Sequence, residues 1–93
     1  MLLFRVKVIG HSMEPTLRGN QVVIASSFPY FFGNPSISDV VVLQHEKCII
    51  KRIAKIKENK IFVVGDNISK STDSRSFGWI DKNKIIGKVI FKI

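Results

Sequence analysis

Residues 48–64 read CIIKRIAKIKENKIFVV. Isoleucine and valine crowd both halves of this stretch, and Asn59 interrupts it with a turn residue. β-branched side chains fit a pleated backbone, so two such runs around a short polar turn predict a hairpin, 48–56 against 61–64. The pattern continues outward. Val40-Val41-Val42-Leu43 and Val22-Val23-Ile24 are short apolar runs that suit buried strands. Phe4, Val6 and Val8 alternate with Arg5 and Lys7, as in a strand with one face buried. Ile85-Ile86 and Val89-Ile90-Phe91 close the chain in the same manner. Only 13–17 fits a helical turn. The expected fold is all-β: one domain over residues 1–93, with six or seven strands in a coiled, barrel-like sheet. Two irregular segments interrupt it, 25–38 and 65–78, and long loops in small domains often carry function.

Composition narrows the function classes. Fifteen Lys and Arg stand against seven Asp and Glu, a formal net charge of +8. That excess suits solvated strand faces, an anionic membrane surface, an acidic partner or a nucleic acid. The single cysteine, Cys48, excludes an internal disulfide and a cysteine-based zinc site. Two histidines, His11 and His45, make no metal cluster, and no cofactor is expected. His11 reads as a loop residue or substrate wall, and His45 as an exposed turn residue. The N-terminal apolar stretch is broken by Arg5 and Lys7, so no transmembrane span or signal peptide is read there.

The chemistry lies in Ser12 and Lys51. Ser12 sits in Gly10-His11-Ser12-Met13-Glu14-Pro15-Thr16-Leu17, a turn-forming segment. Gly10 allows close backbone approach, Met13 offers an apolar wall, Pro15 stiffens the turn, and its N–H groups could stabilise an oxyanion. A serine hydroxyl is a weak nucleophile and needs a base within reach. Lysine serves only when neutral, and its unperturbed pKa is about 10.4. Burial lowers that value. In an extended strand Lys51 shares a face with Ile49 and Ile53, while Arg52 points the other way and keeps its charge on that other face. The loop Gly65-Asp66-Asn67-Ile68-Ser69-Lys70-Ser71-Thr72-Asp73-Ser74-Arg75-Ser76-Phe77-Gly78 supplies small hydrogen-bonding groups. Within it Ser71 could donate to the neutral amine and orient it, and Asp73 with Arg75 could form a bracing ion pair.

These segments together, GHSMEPTL, IIKRI and GDNISKSTDSRSFG followed by IIGK, resemble the signature segments of type I signal peptidases, the serine–lysine leader peptidases. The resemblance runs from Val8 to Val89. It implies a coiled β-sheet domain in which Ser12 is the acylating nucleophile, Lys51 the general base, Ser71 the serine that orients the lysine, and Asp73 with Arg75 the bracing pair. Gly10 falls where some relatives carry an oxyanion serine, so the Ser12 N–H would carry more of that task. Gly19-Asn20 and Ser38-Asp39 depart from the usual Gly-Asp pairs and read as structural. The chain looks like a bare catalytic core beginning about ten residues before the serine. The expected activity is removal of N-terminal signal peptides or propeptides from protein substrates in trans.

That minimal form is also similar to the nickel-superoxide-dismutase maturation proteases, which trim a propeptide. The two readings part on location: peripheral at a membrane for the first, cytoplasmic for the second. Self-cleaving SOS-repressor peptidases share the dyad logic but need a cleavable segment ahead of the serine. A non-catalytic basic β-barrel binding nucleic acid is the competing class; its aromatics would have to interleave with basic strands, and here they cluster. A degenerate scaffold would not need all five of Ser12, Lys51, Ser71, Asp73 and Arg75. The clustered aromatics, Phe28, Tyr30, Phe31 and Phe32, read either as packing over the barrel end or as a contact with anionic membrane.

Overall fold

The computed structural model describes residues 3–30 and 33–93. Seven strands form one antiparallel sheet that curls into a half-barrel. In chain order they are β1 (Leu3–Lys7), β2 (Val22–Ser26), β3 (Val40–His45), β4 (Lys47–Lys57), β5 (Lys60–Val64), β6 (Ile80–Asp81) and β7 (Ile85–Lys92). Their spatial order is β1-β2-β7-β3-β4-β5-β6.

The unbroken apolar run in β3 has a simple cause: this central strand is buried on both faces. Val42 packs in one core with Val8, Met13, Leu17, Val23 and Ala25. Val41 and Leu43 point the other way, into a second core with Ile53, Ile61, Val63 and Ile80. The turn following β1 lays Met13 and Leu17 over the first face, and burying each stabilises that turn by roughly 1.5–3 kcal/mol. Tyr30 and Phe77 cover part of the second. β4 and β5 form the expected hairpin through a two-residue turn, with Lys57 opposite Lys60 and Glu58 at φ 54°. A bulge between Ile53 and Lys55 interrupts the register. β5 pairs with β4 only from Arg52 onward, so Lys47–Lys51 runs past the end of β5 with β3 as its one sheet partner among the described pairings.

Several expectations need correction. Ala25 and Ser26 belong to β2, so the first long loop starts at Ser27. Asp39 closes that loop by accepting from the Tyr30 hydroxyl (2.7 Å) and the Ser36 N–H (3.0 Å). Phe28 is half exposed and Tyr30 packs inward, whereas Phe31 and Phe32 lie outside the described residues. The second loop contains a one-turn helix, α1 (Ser74–Phe77), that helical periodicity cannot reveal at that length. Its signals are local: Asp73 caps the N-terminus and Gly78, at φ 84°, ends it. His45 is not an exposed turn residue. It ends β3 half-buried, its ring 4.0 Å from that of Phe77. No helix among the described residues is long and apolar enough to cross a membrane.

Candidate active site

Ser12 stands on the turn between β1 and β2. Gly10 enters that turn at φ 80°, a backbone conformation that side chains resist. Met13, 1% exposed, anchors it from below. Asn67 clamps it from the side: its N–H donates to the Ser12 carbonyl (2.8 Å) and its side-chain amide to the His11 carbonyl (3.0 Å). Lys51 rises from β4, 5% exposed. Its Nζ lies 3.0 Å from Ser12 Oγ and 3.2 Å from Ser71 Oγ. Burial pushes the Lys51 amine below its ordinary pKa. The charges of Arg75 and Lys47 act in the same direction, and the Asp73 carboxylate offsets part of the effect.

The hydrogen bonds determine the direction of each proton. Ser71 Oγ donates to Asp73 Oδ2 at 2.7 Å. A hydroxyl has one proton, so Ser71 accepts from Lys51, the reverse of the donor role read from the sequence. A neutral amine that spends an N–H on Ser71 can turn its lone pair toward the Ser12 hydroxyl. Ser71 thus meets the amine as an acceptor.

Asp73 is the anchor of the loop. Its carboxylate, 1% exposed, accepts from the Gly65 N–H (2.8 Å), from Ser71, and from Arg75 through Nε (2.9 Å), Nη2 (2.6 Å) and the backbone N–H (3.1 Å). Burial alone would raise its pKa. Arg75, the Gly65 N–H and Ser71 outweigh burial and hold the carboxyl far below the usual carboxylate range. Because the folded pKa is depressed, the stability this group confers is present above the unfolded value of about 3.9 and is lost as pH falls from there toward the folded pKa. Asp73→Asn is therefore expected to cost about 2–3 kcal/mol near neutrality. The gap from the parent protein should narrow steadily below about pH 4. Urea titrations across that range check it; a constant gap down to the lowest pH would contradict the assignment.

Residue by residue, Ser12, Lys51, Ser71, Asp73 and Arg75 form one connected cluster. Gly10 and Met13 border the same groove, whereas Pro15 is exposed and lies outside it. The Glu14–Pro15 peptide is cis. His11 is exposed and pairs with Glu14 (Nδ1 to Oε2, 2.6 Å).

The profile of the family described as "Signal peptidase, peptidase S26" matches residues 1–56 and 50–93. The chain belongs to the signal peptidase family. Among similar proteins is the human mitochondrial inner membrane protease subunit 1, 29% identical over 108 residues, covering 90% of this chain. A probable thylakoidal processing peptidase of Arabidopsis thaliana is 26% identical, covering 87% of this chain and 35% of the relative. Signal peptidase IB of Staphylococcus aureus is 51% identical over 37 residues, 40% of this chain and 19% of the relative. The chain spans 65% of the length of the human relative.

Within this signal peptidase family chain, sequence reasoning missed a second set of residues. Arg52 grips Asp66 with two parallel bonds of 2.8 Å and donates to the Ser38 carbonyl at 2.7 Å. Thr16 Oγ1 donates to the same carboxylate at 2.6 Å. Arg52 holds Asp66 below its ordinary pKa against the opposing effect of burial. The strand carrying Lys51 is thereby tied to the turn carrying Ser12. A signal was available: alternation turns Arg52 away from Lys51, and once Asp73 is matched with Arg75 the only other carboxylate in 65–78 is Asp66. Gly65 was missed as well. A Cβ there would meet Ser71 Cβ at 2.5 Å and the Ser12 carbonyl oxygen at 2.6 Å.

Proposed function

We propose that the protein is a serine endopeptidase that removes N-terminal leader segments from protein substrates, with Ser12 and Lys51 as its catalytic dyad. The observation that carries this reading is a buried lysine amine held between two serine hydroxyls, one on an exposed turn beside a groove. Neutral Lys51 takes the Ser12 proton as Oγ attacks the scissile carbonyl carbon. The oxyanion that forms is assigned to the Ser12 N–H. Lys51, now an ammonium, protonates the leaving amine as the C–N bond breaks, leaving an acyl ester on Ser12. The amine then takes a proton from water, hydroxide attacks the ester, and Ser12 recovers its proton from Lys51.

The groove supports a protein substrate. It is open, about 470 Å³, and runs between 6–10 on one side and 47–51 on the other. β1 is an edge strand, and the first half of β4 extends beyond β5. Main-chain groups on two such edges suit an extended peptide. The names of the similar proteins, a signal peptidase and a processing peptidase among them, favour a protein precursor over a small ester or amide. Family resemblance adds small residues at the first and third positions before the cut.

The test is cleavage of precursor peptides followed by mass spectrometry of the products. Its pH profile is the discriminating readout. The base acts when deprotonated, so kcat/KM should rise with pH. Because the Lys51 pKa is lowered, that rise should be centred clearly below the ~10.4 of a free lysine. A limb at or above that value would exclude Lys51 as the base.

A further inference from the structure

The groove beside Ser12 has an apolar floor, formed by Val6, Val8, Ile49 and Ile50 among others. Its rim is cationic. Lys7, Lys47 and Lys70 all line it, all are exposed, and no Asp or Glu lines it. Among the described residues, four basic groups outside the rim pair with carboxylates: Arg52 with Asp66, Lys60 with Asp81, Arg75 with Asp73 and Lys88 with Asp39. None of the three rim lysines has a carboxylate within ion-pair range among the described residues. Glu46, the chain neighbour of Lys47, lies in the turn after β3 and does not line the groove. The Lys47 charge reaches the site itself, since it acts on Lys51. A cleft with low-dielectric walls and charge of one sign focuses its field on whatever enters.

We propose that this groove selects leader segments bearing carboxylates close to the scissile bond, and that Lys7, Lys47 and Lys70 are the specificity-determining residues. The inference rests on the peptidase reading for its substrate class. A Glu or Asp side chain of an extended peptide lying over the apolar floor meets a rim lysine; a Lys or Arg side chain meets like charge beside Lys51. The effect belongs to substrate choice. The action of Lys47 on the Lys51 amine is common to every substrate, so it cancels in the ratio between two peptides.

A peptide series that moves one Glu, Gln or Lys through the positions around the cut tests this. At one or more positions Glu should exceed Gln in kcat/KM by about three- to tenfold, and Lys should fall below it. The preference should fade near 1 M salt, where the screening length is about 3 Å. Combined reversal, Lys7→Glu with Lys47→Glu and Lys70→Glu, should invert it. The same charge change made off the groove, Lys57→Glu with Lys82→Glu and Lys84→Glu, should leave the preference in place. Equal cleavage of Glu and Lys peptides at every position would overturn the proposal. So would an inversion by the off-groove variant, which would make net charge the cause. If the rim variant does not fold, the salt dependence of the wild-type ratio decides. If no peptide is cleaved, the peptidase reading fails on its own, and the affinities of the Glu and Lys peptides for the wild-type protein, read by fluorescence anisotropy, still decide the selectivity.

Discussion

Ser12→Ala and Lys51→Met are each expected to reduce peptide cleavage by a factor of about a thousand or more while the sheet stays folded. Ser12→Ala deletes one half-buried hydroxyl and leaves the Ser71 acceptor for the Lys51 amine. Lys51→Met keeps much of the side-chain volume among Ile49, Ile53 and Val41, which shares its face across the β3–β4 pair. It also removes a polar group whose burial is costly, so stability should hold or rise. Ser71 keeps its bond to Asp73 in either variant. The double variant should be scarcely worse than either single one, because the two groups act as a unit. Product analysis against urea-denaturation midpoints separates chemistry from folding. Near-normal turnover by a folded Ser12→Ala protein would end the peptidase assignment.

Gly65→Ala should be nearly as damaging, by a different route. The new methyl group would overlap Ser71 Oγ, the atom that accepts from the Lys51 amine, and would press on the carbonyl of Ser12. Neither neighbour can withdraw freely. Ser71 is bound to Asp73, and the Ser12 carbonyl is bound by the Asn67 N–H. Overpacking of this kind costs about 1–3 kcal/mol. A shift of the two serines by about 1 Å would lower turnover on the order of a hundredfold. Adding Ser71→Ala to Gly65→Ala removes part of the overlap and should restore part of the stability, yet it cannot restore the acceptor for Lys51. Stability and activity should therefore separate in the double variant. If they recover together, the damage at Gly65 is only steric.

Much of this site was legible in the chain because it rests on short-range rules. Strand alternation at Ile49, Lys51 and Ile53 put the lysine on an apolar face, and the hairpin turn at Asn59 gave its strand a partner. Asp73 and Arg75 sit two residues apart, close enough for pairing to follow from spacing. The proton direction at Ser71 was beyond reach, since it depends on which of two acceptable partners lies nearer its hydroxyl. Asp66 and Thr16 meet across fifty positions of chain, and the role of Gly65 exists only once two distant backbones converge on it. Helical spacing failed at α1 because a four-residue helix is defined by its caps. Strand ends were misplaced at Ala25 for another reason: a small residue carries little β preference, and its pairing with Phe4 and Val89 and its burial in the first core keep it in the sheet.

The first half of β4, running on past the end of β5, has a consequence for the protein in solution. A bare strand edge wide enough for a peptide is also wide enough for a sister molecule, and such edges nucleate aggregation. Here a second copy would arrive bearing the same Lys7 and Lys47, and like charges set against each other in a strand pair oppose pairing. The residues that draw in an acidic leader would thus also keep identical molecules apart.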